Sequence, residues 1–210
     1  MDDASPNLAQ RLDMTAKAPY PRSEYLRRIL WQFVRATLFR CSPTPMYAWR
    51  RWLLRVFGAK LGHRTYFRPA AHIVHPWKFT TGNWCTLANG VVIYNLRVVR
   101  LGDHPVLSQD AYLCAGAHDY ARPDLPLQLT PITIGSGVWI CAGAFIGPNV
   151  TVGDNCVVGA RAVVMKDVPA GMVVAGNPAK VIKPRPMGTN RMPPSLAPSP
   201  APSPAPFDIT

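Results

Sequence analysis

Aliphatic residues recur at every sixth position through the second half of the chain. Positions 134, 140, 146, 152, 158 and 164 hold Ile or Val, and glycine follows four of these six residues. An α-helix would place such residues on different faces, and a flat strand has a period of two, so neither explains the pattern. The period predicts instead a prism-shaped coil, in which the aliphatic residue points inward and the glycine permits the corner.

The same phase extends upstream to residue 61. Further hexads begin at nine earlier positions: Leu61, Phe67, Ile73, Thr81, Leu87, Ile93, Leu101, Leu107 and Leu113. The phase shifts by two residues before Thr81 and before Leu101, and by fifteen between Leu113 and Ile134. Every shift follows a complete set of three hexads. Fifteen hexads therefore predict about five triangular turns whose backbones pair as parallel sheets, which is an all-β solenoid.

The composition changes along the chain and divides it into four segments. Residues 1–19 are polar and aperiodic, which predicts a flexible N-terminus. Residues 20–60 read as a basic amphipathic helical segment, and residues 61–183 form the coil, with a loop insert at 119–133. Residues 184–210 hold nine prolines, which predicts a disordered tail.

Two helices are predicted within the basic segment. Ser23 is the expected N-cap of the first, Thr44 caps the second with Pro45 at its first position, and Gly58 ends it. The first helix carries an apolar stripe at helical spacing: Leu26, Ile29, Leu30, Phe33, Val34 and Leu38.

The charge of the basic segment leaves two placements open. It holds nine basic residues and one acid, in a chain of net charge +12. The helices either pack over the open end of the prism or dock on an anionic membrane surface, and the two can coexist. No recognised nucleic-acid-binding module accompanies the charge, so nucleic acid is not an expected partner.

The cysteines and the N-terminus bear on the cellular compartment. The chain has five cysteines and no CxxC pair, which argues against a disulfide framework and a zinc site. The first residues do not read as a signal peptide, and no apolar run is long enough to span a bilayer. We therefore expect free thiols in a cytoplasmic protein, with peripheral contact to the inner face of the membrane as an option.

Three motifs make the repeat more specific. They are Ile93-Tyr94-Asn95-Leu96, then Ala111-Tyr112-Leu113-Cys114 with His118-Asp119-Tyr120, and Ala175-Gly176-Asn177-Pro178-Ala179-Lys180. With these motifs the chain resembles the hexapeptide-repeat acyltransferases, and within them the colanic acid biosynthesis type of acetyltransferase, over about residues 25–185. The resemblance implies a left-handed parallel β-helix, whereas the general rule for parallel crossovers favours the right hand.

The resemblance also implies a catalytic histidine. His118 is the last residue before the insert and falls where the superfamily places its general base, a role that suits neutral imidazole. Asn95 and Asp119 are further candidates, as the Asn that often accompanies the histidine and as a group that orients its ring. Both have structural turn roles as the alternative, and no oxyanion donor can be named from the sequence.

The donor implied by the resemblance is acetyl-CoA, used as a co-substrate with no metal. Its phosphates need cations near the end of the coil, and small residues let its pantetheine arm approach the backbone. Six positions fall in the donor-binding region of the family: Trp139, Ala142, Ala160, Lys166, Lys180 and Lys183. Trp139 has a surface packing role as its alternative, and the lysines a solvated C-terminal cap.

Three functions follow from these observations. The first is an O-acetyltransferase that acts on a sugar hydroxyl of an exopolysaccharide or its precursor, in a homotrimer with sites between neighbouring prisms, as the superfamily is typically built. The second is a non-enzymatic β-helix scaffold, which would have no affinity for acetyl-CoA. The third is a metal enzyme similar to γ-class carbonic anhydrases. That site needs two histidines five residues apart, a spacing that the five histidines of this chain do not provide.

Overall fold

The computed structural model describes residues 10–11 and 20–188. The predicted flexible N-terminus, apart from residues 10 and 11, and the predicted proline-rich tail after residue 188 lie outside the described residues. Helix α1 spans Arg22–Val34 and continues as a π-helical turn over Arg35–Phe39, and α2 spans Tyr47–Val56.

Short strands follow as far as Pro184, with a one-turn 3-10 helix at Pro76–Lys78. In order they are β1 Lys60–Leu61, β2 Tyr66–Phe67, β3 His72–Ile73, β4 Phe79–Thr81, β5 Thr86–Leu87, β6 Val92–Tyr94, β7 Val99–Leu101, β8 Val106–Leu107, β9 Tyr112–Cys114, β10 Ala117–His118, β11 Leu127–Gln128, β12 Ile132–Ile134, β13 Trp139–Ile140, β14 Phe145–Ile146, β15 Thr151–Val152, β16 Val157–Val158, β17 Val163–Val164, β18 Met172–Ala175 and β19 Lys180–Pro184.

The strands stack into the three faces of a prism. The first face has the order β1-β4-β7-β12-β15, and the third has β3-β6-β9-β14-β17. The second has β2-β5-β8-β13-β16-β18, with β19 added antiparallel at its end. Pairs within the faces are otherwise parallel, so the coil is a parallel β-helix. Its hand is left, the one that the resemblance implied.

The inward positions of the hexads form three columns through the prism. Leu61 pairs in register with Thr81, Thr81 with Leu101, Leu101 with Ile134 and Ile134 with Val152. The columns that start at Phe67 and Ile73 continue in the same way. All fifteen side chains are buried except Leu61, which is half-buried. The predicted phase is therefore confirmed residue by residue.

The coil makes about six turns, one more than the hexad count predicted. Val168 forms a bridge to Val152, and β18 pairs with β16 through Val174 and Val158. Val168 follows the inward Val164 after four residues instead of six, so this last turn does not continue the hexad phase. The count of five turns was wrong for this reason.

Glycine is needed at the first corner, between the first and second faces, because successive turns touch there. A Cβ at Gly82 would lie 2.6 Å from the carbonyl oxygen of Gly102, and one at Gly135 would lie 2.7 Å from the backbone nitrogen of Asp154. Real Cβ atoms do not approach backbone so closely. Glycine is therefore required here because successive turns touch. The sequence had suggested a different reason, the dihedral angles of the corner.

The basic segment covers the N-terminal end of the prism. Trp31 is 1% exposed, and its indole N–H donates to the carbonyl oxygen of Ile73 over 2.8 Å. Phe39, Leu53 and Leu54 join the same buried cluster as the inward residues of the coil. Arg50 is also fully buried and donates to the carbonyl oxygen of Phe67 over 2.6 Å. The first turn is thus shielded by helices, which is one of the two placements that the charge had left open.

Three local predictions for the helices have different outcomes. The caps are Pro21 and Met46, and neither makes a side-chain capping bond, so Ser23 and Thr44 are not the N-caps. Gly58 does follow the end of α2 in the left-handed region, with φ of 93°.

A buried histidine and an asparagine tie two neighbouring turns together. The Asn95 side chain accepts from the backbone N–H of His75 over 2.9 Å and donates to its carbonyl over 2.6 Å. The His75 ring is 2% exposed, and its Nδ1 lies 3.0 Å from the carbonyl oxygen of Asn95. Burial lowers the pKa of His75 from 6.5 to about 4, and the charges of Arg28 and Lys78 act in the same direction.

We expect the protein to lose stability in mild acid through His75. Between pH 6.5 and about 4 the unfolded chain binds a proton that the folded chain does not, so the free energy of unfolding falls as the pH falls. One proton gives a slope of up to about 1.4 kcal/mol per pH unit. Urea unfolding of the wild type and of His75→Gln from pH 7.5 to 4 measures this slope. An equal slope in both proteins would contradict the prediction.

Candidate active site

The insert leaves the coil as a hairpin at the corner between the third and first faces. Its strands β10 and β11 pair antiparallel, with Ala117 opposite Gln128 and His118 opposite Leu127. The chain then re-enters the first face at β12, which pairs in register with β7. The insert is therefore an outward excursion between the third and fourth turns, as its length in the sequence predicted.

His118 lies exposed on the first strand of this hairpin. Its Nδ1 is 2.6 Å from the carbonyl oxygen of Leu125, and a carbonyl can only accept. Nδ1 must therefore carry the proton of the neutral ring, and Nε2 keeps its lone pair. Leu125 has a φ of 42°, a left-handed conformation that is uncommon for leucine. The hairpin thus selects, for the neutral ring, the tautomer in which Nε2 is free to accept a proton.

Asp119 follows His118 but contacts a different part of the insert. Its carboxylate accepts from the backbone N–H of Ala121 over 3.1 Å, and its own N–H donates to Pro126 over 3.0 Å. These bonds shape the turn of the hairpin. The group that holds the His118 ring is the Leu125 carbonyl, so the ring-orienting role suggested for Asp119 is filled by backbone that no sequence motif marks.

Asn95 is 0% exposed, and its side-chain oxygen and nitrogen are both bonded to the His75 backbone. The amide therefore joins two turns of the coil, the structural alternative for this residue.

Ala142 and Ala160 lie exposed one above the other at the corner between the second and third faces. The N–H of Arg161 donates to the carbonyl oxygen of Ala142 over 2.9 Å, which fixes the two corners in register. Because the side chains at this column are single methyl groups, a ligand can approach the backbone closely there.

Lys166 and Lys180 line one cleft of about 250 Å³ at the C-terminal end of the coil. Apolar walls come from Met165, Val168 and Val181, among others. Lys183 is exposed three residues further along β19 and is not among the lining residues. The structure thus brings together two of the three lysines that the sequence suggested.

Trp139 borders a second cavity, on the second face. Its side chain is 47% exposed, and the indole N–H donates to the Ser108 hydroxyl over 3.0 Å. The cavity of about 370 Å³ also includes His104 and Arg185, whose guanidinium donates to the carbonyl oxygen of Gly137 over 2.7 Å. Nothing in the sequence indicated that His104 and Arg185 meet Trp139, because the three residues belong to different turns of the coil.

His118 and the column of small residues lie at similar heights along the coil but not at the same corner. His118 leaves the corner between the third and first faces, just below the turn that contains Trp139 and Ala142. Ala142 and Ala160 belong to the corner between the second and third faces. Within one chain, His118 and the column of small residues are therefore on separate edges of the prism.

The described residues contain neither a metal-binding cluster nor a membrane-spanning helix. Over residues 10–11 and 20–188, His, Cys, Asp and Glu side chains form no group of three or more that could hold a metal ion. In the same part of the chain, no helix has the length and apolar character needed to cross a membrane.

Comparison with known proteins places the chain in a family. The family model described as "Bacterial transferase hexapeptide (six repeats)" matches residues 131–166. The chain is 46% identical over 156 residues to WcaF of Escherichia coli (strain K12), a protein named as a colanic acid biosynthesis acetyltransferase. The match covers 74% of this chain and 86% of that protein.

Two solved structures extend the comparison to the fold. A hexapeptide-repeat acetyltransferase of Vibrio cholerae, complexed with acetyl coenzyme A, matches with a TM-score of 0.74 at 24% identity, over 84% of this chain and 96% of the other. A galactoside acetyltransferase in complex with coenzyme A matches with a TM-score of 0.67 at 25% identity, over 80% and 84%. The chain belongs to the hexapeptide-repeat acetyltransferases, and within them to the colanic acid biosynthesis type.

Proposed function

We propose that the protein is an O-acetyltransferase that transfers an acetyl group from acetyl-CoA to a sugar hydroxyl, in an exopolysaccharide or its precursor. The observation that carries the proposal is the His118 ring, whose Nδ1 is held by the Leu125 carbonyl on an exposed hairpin. The WcaF relative and the galactoside acetyltransferase support a glycan acceptor. The proposed location of this activity is the cytoplasm.

The proposed reaction is a direct transfer with His118 as general base. The sugar hydroxyl oxygen attacks the thioester carbonyl carbon while Nε2 of His118 takes the hydroxyl proton. The tetrahedral intermediate then expels the CoA sulfur, which receives that proton from the imidazolium. The products are the acetyl ester and CoA with a free thiol, and the imidazole returns to its neutral form.

The cysteines favour direct transfer over an acyl-enzyme. Burial raises the pKa of the Cys114 and Cys141 thiols, so both stay protonated at neutral pH. A protonated thiol is a poor nucleophile.

The lysine cleft is the proposed site of the charged end of the donor. CoA carries a 3′-phosphate and a diphosphate, and Lys166 and Lys180 are the cations that the cleft offers them. The exposed column of Ala142 and Ala160 leads along the prism towards the turn of Trp139, as a pantetheine arm requires. The contribution of Lys183, outside the lining of the cleft, stays a prediction.

We infer that a complete site needs a neighbouring copy, arranged as a homotrimer. His118 and the alanine column are on different edges of one prism at similar heights. A contact that joins two different corners of two parallel prisms is heterologous, and it forms a ring where its rotation closes. Three copies around one axis would bring each His118 to the donor groove of its neighbour.

Replacement of the base should abolish most of the turnover. We expect His118→Ala to lower kcat by about two orders of magnitude or more, the scale of general-base loss, with unchanged affinity for acetyl-CoA. Steady-state kinetics with a glycan acceptor and calorimetric titration of acetyl-CoA measure the two quantities. An Ala variant with wild-type kcat would remove His118 from the mechanism.

The neutral His118 ring should be the Nδ1–H tautomer. The Leu125 carbonyl accepts from Nδ1, so Nε2 should show the ¹⁵N chemical shift of an unprotonated nitrogen at pH 8. Long-range ¹H–¹⁵N correlation spectra of the wild type report it, with His118→Ala to assign the signal. A spectrum in which Nε2 carries the proton would contradict this geometry.

The two cleft lysines should set the affinity for the donor. Lys166→Ala and Lys180→Ala should each weaken CoA binding by on the order of tenfold, because each removes a charge-assisted bond to a phosphate. Lys60→Ala, an exposed lysine at the opposite end of the coil, is the matched control and should bind as the wild type does. Calorimetric titration measures all three variants. Equal dissociation constants for them would place the phosphates elsewhere.

A further inference from the structure

Helix α1 turns its charged face towards the protein. Glu24 lies 3.0 Å from the Lys78 ammonium and 3.2 Å from Arg28. The Arg27 guanidinium donates to the Phe57 carbonyl over 2.7 Å and sits 4.3 Å from the centre of the Trp77 ring. These residues, together with the buried Trp31, fix the helix to the coil and leave its other face outward.

The outward face is the apolar stripe of the helix. Its members are large apolar residues, each with about half or more of its surface exposed to solvent: Leu26 at 69%, Ile29 at 64%, Leu30 at 53%, Phe33 at 65% and Leu38 at 48%. We call these five residues the outer stripe. A surface helix of a globular protein normally has the opposite arrangement, with its apolar stripe on the core. Isolated exposed apolar residues need no explanation, but a continuous patch of this kind marks an interaction surface.

The outer stripe continues onto α2 through tryptophan. The indole N–H of Trp49 donates to the carbonyl oxygen of Leu38 over 3.0 Å, and the Trp49 and Trp52 rings stack with centroids 5.0 Å apart. Trp52 is itself 53% exposed, and Val56, one turn further, is 59% exposed. The patch therefore extends over both helices and carries an exposed indole at its edge, as helices at membrane surfaces often do.

The charges around the patch indicate what covers it. Arg22, one turn before Leu26, and Arg40, two residues after Leu38, are both exposed. Glu24 is the one acid in residues 20–60, and it is paired on the protein side of the helix. A second copy docked through the same face would bring cations against cations without a carboxylate from this segment. An anionic surface meets no such repulsion.

We propose that the outer stripe and Trp52 dock the protein on the surface of a membrane that contains anionic lipids. The helices lie in the plane of the interface, with the apolar side chains among the acyl chains and Arg22 and Arg40 at the headgroups. This binding is separate from acetyl transfer, because the patch is on the N-terminal cap and the donor cleft is at the opposite end of the coil.

Vesicle sedimentation of the full chain tests the proposal. The probes are vesicles of phosphatidylcholine alone and of phosphatidylcholine with about a third phosphatidylglycerol. The test variant is Ile29→Ser with Phe33→Ser, and the control is Ile182→Ser with Met187→Ser, two residues that are 60% and 68% exposed far from the patch. Because all four side chains face solvent, thermal midpoints should stay close to that of the wild type.

We expect the wild type and the control to bind the anionic vesicles, and the test variant to bind at least tenfold more weakly. Binding to phosphatidylcholine alone should be weaker than to the mixture, and salt should reduce the difference. A wild type that stays in the supernatant, or a test variant that sediments like the wild type, would overturn the proposal. If the wild type ignores vesicles and the test variant has a smaller mass by light scattering, the patch joins copies of the chain instead.

Discussion

The close contact between successive turns at the first corner is the constraint on which the rest of the molecule depends. Gly82 and Gly135 lie where any side chain would strike the backbone of the next turn. That approach keeps the turns in register, and the register places each aliphatic residue over the one below. Because the faces pair continuously, an irregular segment can leave the coil only at a corner. The position of the His118 hairpin follows from this restriction.

The repeat could be predicted in detail because the same information occurs fifteen times. A wrong phase at one hexad would have contradicted its neighbours, so the inward positions from Phe67 to Val164 were fixed by mutual agreement. The last turn was missed because Val168 comes two residues early and no further hexad follows to restore the phase. The role of the corner glycines was also misread, since the contact that requires them involves a residue about one turn away.

The site was predictable in part. The position of the insert pointed to His118 as a candidate. The Leu125 carbonyl that holds its ring could not be recognised from the sequence, because every residue has a carbonyl. The side chains of Asn95 and Asp119 bond to backbone groups, Asn95 on the neighbouring turn and Asp119 within the insert, and nothing in the sequence indicates these partners. Helix α1 shows a related gap, since periodicity tells which residues share a face and not which face meets the protein. In the structure, the hydrogen bonds and ion pairs of the charged face of α1 show that this face packs on the coil.

The hairpin that carries His118 does not disturb the strand pairing of the first face. Ile132 pairs with Val99 and Ile134 with Leu101, as they would if β9 led directly into β12. Changes of length or sequence in the hairpin therefore do not propagate into the coil. The length and sequence of this loop can therefore vary while the inward residues of the hexads, which hold the fold together, stay the same.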